Sequence, residues 1–180
     1  MSRTNPFKKK RRSANRTLLV YGEGLGEEMF LKYLRGLYSY NSNTAVTIRN
    51  GRGGNAASIV IGADHTPGAF DRKIVVLDND KGSSEMTQAR QEASKRNIEL
   101  FENTPCLEAV LLSVLNNGAG YASKGSSWCK GEFQSKYIDK KKRMELKEYG
   151  RVFPKTVLDT QRKKVKELHR LISLMEGDNS

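Results

Sequence analysis

Three carboxylates stand at the ends of apolar runs. Thr17-Leu18-Leu19-Val20-Tyr21 leads into Gly22-Glu23-Gly24, and Lys73-Ile74-Val75-Val76-Leu77 leads into Asp78-Asn79-Asp80. Both runs read as buried strands. In open α/β sheets, functional groups gather outside the carboxyl ends of the strands, so Glu23, Asp78 and Asp80 are expected to meet. Carboxylates crowded in this way repel one another unless a cation neutralises them. Hard oxygen ligands suit Mg2+ (or Mn2+). The chain carries a net charge of +12, which draws it to polyanions. A carboxylate-metal site on a basic protein points to phosphodiester chemistry.

The elements that must position these acids follow from periodicity. After strand 17–21, Phe30, Leu31, Leu34 and Leu37 recur at helical spacing over 27–37. Residues 44–49 alternate as a short strand, 51–55 form a glycine-bearing turn, and 56–63 a helix. Strand 73–77 is followed by a polar helix over 84–96, a short strand at 97–100, and a helix opened by Pro105 and running to Leu115. Strands alternating with helices predict an α/β fold with a central parallel or mixed sheet flanked by helices. Residues 116–127, rich in Gly, Ser and Asn, read as a loop. Helices are expected over 131–149 and over 156–175, the latter packing one face on the body. The resulting division is a disordered basic arm at 1–16, a catalytic core at 17–115, and a loop and helical C-terminal extension at 116–180.

The arm holds Arg3, Lys8, Lys9, Lys10, Arg11, Arg12 and Arg16 without an acid. It is too polar to bury its own surface and is suited to nucleic-acid phosphates. Lys140, Lys141, Lys142 and Arg143 form a second basic cluster with the same expected role. No apolar run approaches the roughly 20 residues needed to cross a bilayer. With no apolar segment behind the basic N-terminus, no secretory signal is expected, and a cytoplasmic location without a membrane partner is. Cys106 and Cys129 are expected as free thiols, and His65 and His169 as structural or solvated residues.

Gly22-Glu23-Gly24-Leu25-Gly26 invites a dinucleotide-binding reading, which fails. Glu27 stands where the third glycine is needed, Arg49 lies where an acid should hold the ribose, and the two glutamates would repel a pyrophosphate. No Gly-Lys-Ser/Thr follows, which excludes a P-loop.

Glu23-Gly24-x-x-Glu27-x-x-Phe30-Leu31-x-x-Leu34 after a strand resembles the first motif of the Toprim domain, and Asp78-x-Asp80 its second. That fold is shared by OLD-family nucleases, topoisomerases and bacterial primases. More narrowly, the chain resembles the RloB-like proteins of prokaryotic mobile and defence loci. The features that match are the basic arm, the Glu-Gly motif, the turn at 51–54, Phe70-Asp71 before strand 73–77, and Asn103-x-Pro105-Cys106-Leu107-Glu108. The chain departs from the pattern at Gly26, where threonine is usual, at Thr104, which is inserted, and at Ala109-Val110, where Leu-Trp is usual.

The resemblance implies a Toprim-like sheet and a metal-dependent nuclease in a phage-defence or mobile-element setting. Its partners would be DNA or RNA and an ATPase or other defence-system protein. Asp78 and Asp80 would ligate the metal, and Glu23 would be a ligand or the proton acceptor for the attacking water. Glu27 would complete the shell, Glu108 would stand outside it, and Lys81 would be the nearest assisting cation, with Arg72, Lys124 and Lys130 as others. The alternative is a catalytically silent binding or adaptor subunit of a defence complex. The accessory domains of a primase or topoisomerase are not expected.

Overall fold

The computed structural model describes residues 16–40 and 42–177. Its centre is a 4-stranded parallel sheet in the order β2-β1-β3-β4. The strands are β1 (Arg16–Gly22), β2 (Thr44–Asn50), β3 (Arg72–Asp78) and β4 (Glu99–Asn103). Helix α1 (Leu25–Tyr38) links β1 to β2, α2 (Ala56–Asp64) links β2 to β3, and α3 (Ser83–Lys95) links β3 to β4. The remaining helices are α4 (Leu107–Leu115), α5 (Ser126–Lys136), α6 (Leu146–Val152), α7 (Lys155–Gln161) and α8 (Lys166–Glu176). None of the described helices is long and apolar enough to cross a membrane.

Alternation along the strands sends side chains to two faces. Leu18, Val20, Ile48, Ile74, Val76 and Phe101 pack with residues of α1, α4 and the C-terminal helices. Val75 and Leu77 pack instead with Ile59, Val60, Met86 and Ala89 of α2 and α3. Parallel strands covered on both faces need continuous apolar runs, which the two central strands supply as Leu18–Val20 and Ile74–Leu77.

The chain leaves β1 through α1 on one face and moves to one side of the sheet. It then returns through α2 on the other face and crosses to the opposite side of β1. The direction of winding therefore reverses between β1 and β3, where an open α/β sheet leaves a crevice beyond its strand ends.

Several boundaries differ from the sequence reading. The short strand expected at 97–100 forms at Glu99–Asn103, because Asn97 takes a positive φ of 53° in a turn. Pro105 precedes α4 rather than opening it, since extended Cys106 is the N-cap. The loop reading of 116–127 overlaps α5 by two residues, and that helix ends at Lys136. The helix expected to Tyr149 is broken where the Asp139 carboxylate accepts the Lys141 N–H at 2.8 Å and its carbonyl accepts the Lys142 N–H at 2.9 Å. Such Asx turns compete with helical hydrogen bonding. The single helix expected over 156–175 is two, bent at extended Val165 so that Leu158, Leu168 and Leu171 all reach the core. Arg16, assigned to the arm by sequence, opens β1 and pairs with Thr44, while residues 1–15 lie outside the described residues.

Candidate metal centre

Glu23 follows β1, and Asp78 is the last residue of β3, so the reversal of winding brings the two motifs together. The Asp78 backbone N–H donates to Glu23 Oε2 at 3.2 Å. Gly22 allows helix α1 to start immediately above. A Cβ at that position would lie 2.9 Å from Glu27 Cβ and 3.3 Å from the Glu28 nitrogen. Glu27 then folds back as a capping residue, its Oε2 accepting the Gly24 N–H at 3.0 Å. Glu28 takes no part, because Lys32 pairs with it at 2.7 Å and Asn50 hydrogen-bonds to it.

The fourth strand supplies the rest. Asp78 and Asn103 are register partners, and the chain beyond Asn103 turns directly into α4. Asp78 Oδ1 accepts the Leu107 N–H, in the first turn of α4, at 2.9 Å. This contact presents the positive end of the helix to the carboxylate. A carboxylate oxygen of Asp78, one of Glu108 and the Cys106 sulfur all lie within 4.8 Å of one another. Glu108 Oε2 is buried without a hydrogen-bond partner, and so are both side-chain polar atoms of Asn103.

These acids are poorly accommodated as they stand. Asp78 is only 3 % exposed. Burial first, then the Glu27 charge, raises its pKa to about 7 against the opposing pull of Lys130. Burial and the charge of Asp78 raise Glu108. Burial and the charges of Glu108 and Glu23 raise Glu27, against hydrogen bonds from the backbone. Three carboxylates raised by burial and by one another's charge, one with an orphaned oxygen, form a donor set that fits a divalent cation. The Cys106 thiol is pushed up to about 12, chiefly by burial.

Of the trio expected from sequence, Glu23 and Asp78 are in hydrogen-bond contact, and Asp80 is joined to Asp78 through Lys130. Asp80 lies past the strand end. Its Oδ2 accepts Ser126 Oγ–H at 2.6 Å and lies 3.2 Å from Lys130 Nζ. Burial raises Asp80, but those two groups outweigh it and hold the carboxyl below its ordinary range. Glu23 Oε1 pairs with Lys81 at 3.0 Å, and Lys81 also donates to the Gly54 carbonyl at 2.7 Å. Lys81 is thus a clamp between the Glu23 loop and the turn at 51–54. Lys130 reaches Asp78 Oδ2 at 3.2 Å. Its ammonium loses from burial but is held up by Asp78 and Asp80.

A cleft of about 750 Å3 opens above these groups, with Glu23, Glu27, Asp78 and Glu108 on its floor and Arg52, Lys130 and Arg143 on its walls. Of the basic residues expected to contact nucleic acid, Arg143 therefore reaches the site, whereas Lys140, Lys141 and Lys142 are exposed in the turn beyond α5. Arg16 lies at the opposite end of β1 from Glu23, about 20 Å away at 3.3 Å per residue. Lys8, Lys9, Lys10, Arg11 and Arg12 lie outside the described residues. Arg72 pairs with Glu99, and Lys124 sits over Trp128, so neither faces the acids.

Sequence reasoning passed over Ser126, Cys106 and Arg52. Ser126 and Lys130 are spaced i, i+4 on α5, which sets both on one helix face. That spacing was the available signal. Cys106 lies inside the Asn103–Glu108 motif, and Arg52 lies inside the glycine-bearing turn at 51–54. No protein-family model, no curated protein and no solved structure matches this chain, so the meaning of the cleft rests on its own residues.

Proposed function

We propose that the cleft hydrolyses phosphodiester bonds in nucleic acid with a divalent cation held by its carboxylates, and that the chain is a Toprim-type nuclease of the RloB-like group. The observation that carries this reading is the juxtaposition in one cleft of an acidic floor and basic walls. Acids alone would repel a phosphate, and bases alone would bind it without activating water. Asp78 and Glu108 are the residues that would hold Mg2+ (or Mn2+), with Glu27 next to them. Carboxylate oxygens suit these hard ions. When bound, the ion supplies stabilisation of charge on the attacking and leaving oxygens.

The chain's own residues account for the other steps. Glu23, held by Lys81, stands at the edge of the acid cluster and takes the proton from the attacking water. Arg52 and Arg143 bind and orient the phosphate from the cleft walls. Lys130 neutralises Asp78 before substrate arrives and then turns to the phosphate. Asp80, anchored by Ser126, positions Lys130, and it enters the ligand shell only by giving up that lysine. On the resemblance to RloB-like proteins, this activity would serve a defence or mobile-element setting with an ATPase or other defence-system partner.

One observation favours a second reading. Lys81 and Lys130 already neutralise Glu23, Asp78 and Asp80, as a silent binding or adaptor subunit would require. Incubation of the full chain with plasmid, single-stranded DNA and total RNA, with magnesium, manganese or chelator, separates the two. Metal-dependent cleavage that disappears in Asp78→Asn supports the nuclease. Binding without cleavage under every condition supports the adaptor.

A further inference from the structure

On the outer side of α5, Trp128, the chain's single tryptophan, is 44 % exposed. Its ring stacks on Tyr121 with centroids 6.0 Å apart and planes at 19°, and Lys124 Nζ lies 5.4 Å from its centroid. Beside Tyr121 is a hollow of about 260 Å3 lined in part by Thr104, Gly120, Lys164, Lys166 and Glu167. Lys166 also lines a second hollow of about 600 Å3 with Lys163, His169 and Arg170, so the aromatic pair runs on into a basic surface at the α7–α8 bend.

Lys163, Lys164 and Lys166 have no carboxylate partner among the described residues. Lys164 hydrogen-bonds to Asn117, and Glu176 is taken by Arg162 at 2.8 Å. Two contacts tie this surface to the acidic site. Ser126, two residues before Trp128, donates to Asp80. Thr104, at the rim of the first hollow, accepts from Asn79 at 3.5 Å, between Asp78 and Asp80.

We infer that Tyr121, Lys124 and Trp128, with Lys163, Lys164 and Lys166, form a track for single-stranded nucleic acid leading to the cleft. An exposed indole already stacked on one ring has the geometry that an unpaired base extends, whereas a duplex keeps its base faces covered. Lys124 covers the indole by a cation–π contact, and an arriving base displaces it, leaving its ammonium free for a phosphate. The unpaired lysines supply the backbone contacts, which are released from counterions on binding. The inference rests on the reading that the chain handles nucleic acid, and it specifies unpaired strands as the class.

Because Trp128 is the only indole, its fluorescence reports the contact directly. The full chain, in chelator so that no hydrolysis intervenes, is titrated with oligothymidylate and oligouridylate of about 12 nucleotides and with a duplex of equal length. The expected result is quenching by the single strands and much weaker binding of the duplex, the two oligonucleotides ranking DNA against RNA. With labelled oligonucleotides followed by anisotropy, Trp128→Ala weakens binding roughly tenfold and Trp128→Phe retains most of it. Lys163→Ala with Lys166→Ala lowers the slope of log affinity against log salt by about 1.4, at 0.7 per phosphate contact. Absence of quenching, duplex binding as tight as single-strand binding, or unchanged affinity in Trp128→Ala would overturn the inference. Quenching by single strands together with no cleavage under any metal condition would remove the nuclease reading and leave this track standing.

Discussion

Lys130 Nζ, on α5, lies 3.2 Å from Oδ2 of Asp78, at the end of β3. The buried acid at the centre of the site therefore draws its counter-charge from the segment that follows the α/β core, and the C-terminal helices complete the site as well as cover the sheet.

Lys130→Met leaves Asp78 with a single hydrogen-bond donor in the pair. The metal-free protein should lose about 1–2 kcal/mol, the cost of an under-satisfied charged acceptor, discounted because the lysine is partly solvated. Urea unfolding in chelator measures this, and Lys130→Arg should recover part of the loss. An unchanged midpoint in Lys130→Met would remove the pair from the energetics of the site.

Glu108→Gln removes a buried charge whose Oε2 has no partner. In chelator the variant should match or exceed the wild type, by about 0.5–2 kcal/mol. With magnesium or manganese the order should invert. The wild type gains about 2.7 kcal/mol when the ion is at 100 times its dissociation constant, and the variant gains little. Melting temperatures with and without metal decide it, and parallel shifts in the two proteins would exclude Glu108 as a ligand.

Gly22 and Gly26 flank the Glu23 loop and should respond oppositely to alanine. At Gly22 the new Cβ would meet Glu27 Cβ at 2.9 Å, so Gly22→Ala should cost about 1–3 kcal/mol and shift Glu27. At Gly26 a Cβ meets nothing within 4 Å, so Gly26→Ala should stabilise α1 by about 0.5–1 kcal/mol. Thermal unfolding followed by circular dichroism compares them, and equal effects would contradict the close approach at Gly22.

The other end of the sheet carries an acid-sensitive clamp. Asp71 Oδ2 accepts the Thr17 N–H at 2.7 Å and the Thr17 hydroxyl at 2.8 Å. These bonds favour the ionised form and hold Asp71 below its ordinary value near 3.8. The contribution should be complete above that value and be lost as pH falls through the lower folded one. The stability difference between wild type and Asp71→Asn should thus be full at neutral pH and close in acid. A gap that persists in acid would assign the effect to packing.

Strands β1 and β3 were legible because burial on both faces demands uninterrupted apolar runs, whereas β4, alternating with glutamates, was misplaced by two residues. Glu23 and Asp78 were legible for a related reason, as acids placed immediately after such runs. The full grouping around Asp78 and Asp80 was not. It depends on the Asp78–Asn103 register, which brings Cys106 and Glu108 to Asp78, and on α5, which brings Ser126 and Lys130 to Asp80. The register leaves no local trace in sequence, whereas Ser126 and Lys130 leave only their i, i+4 spacing. The breaks at 137–145 and 162–165 were hidden because Asp139 and Val165, rather than glycine or proline, make them.

The apolar face closed by α8 has a consequence for synthesis. Leu168, Leu171, Ile172 and Met175 are fully buried in the cluster that also holds Leu18 and Val20 of β1. A ribosome making about 5–20 residues per second needs on the order of 3–12 s to pass from the end of α4 to the end of α8. For that interval one side of the nascent sheet lacks its last layer and exposes apolar surface. The protein must therefore be shielded, or held back from collapse, until its final helix has emerged.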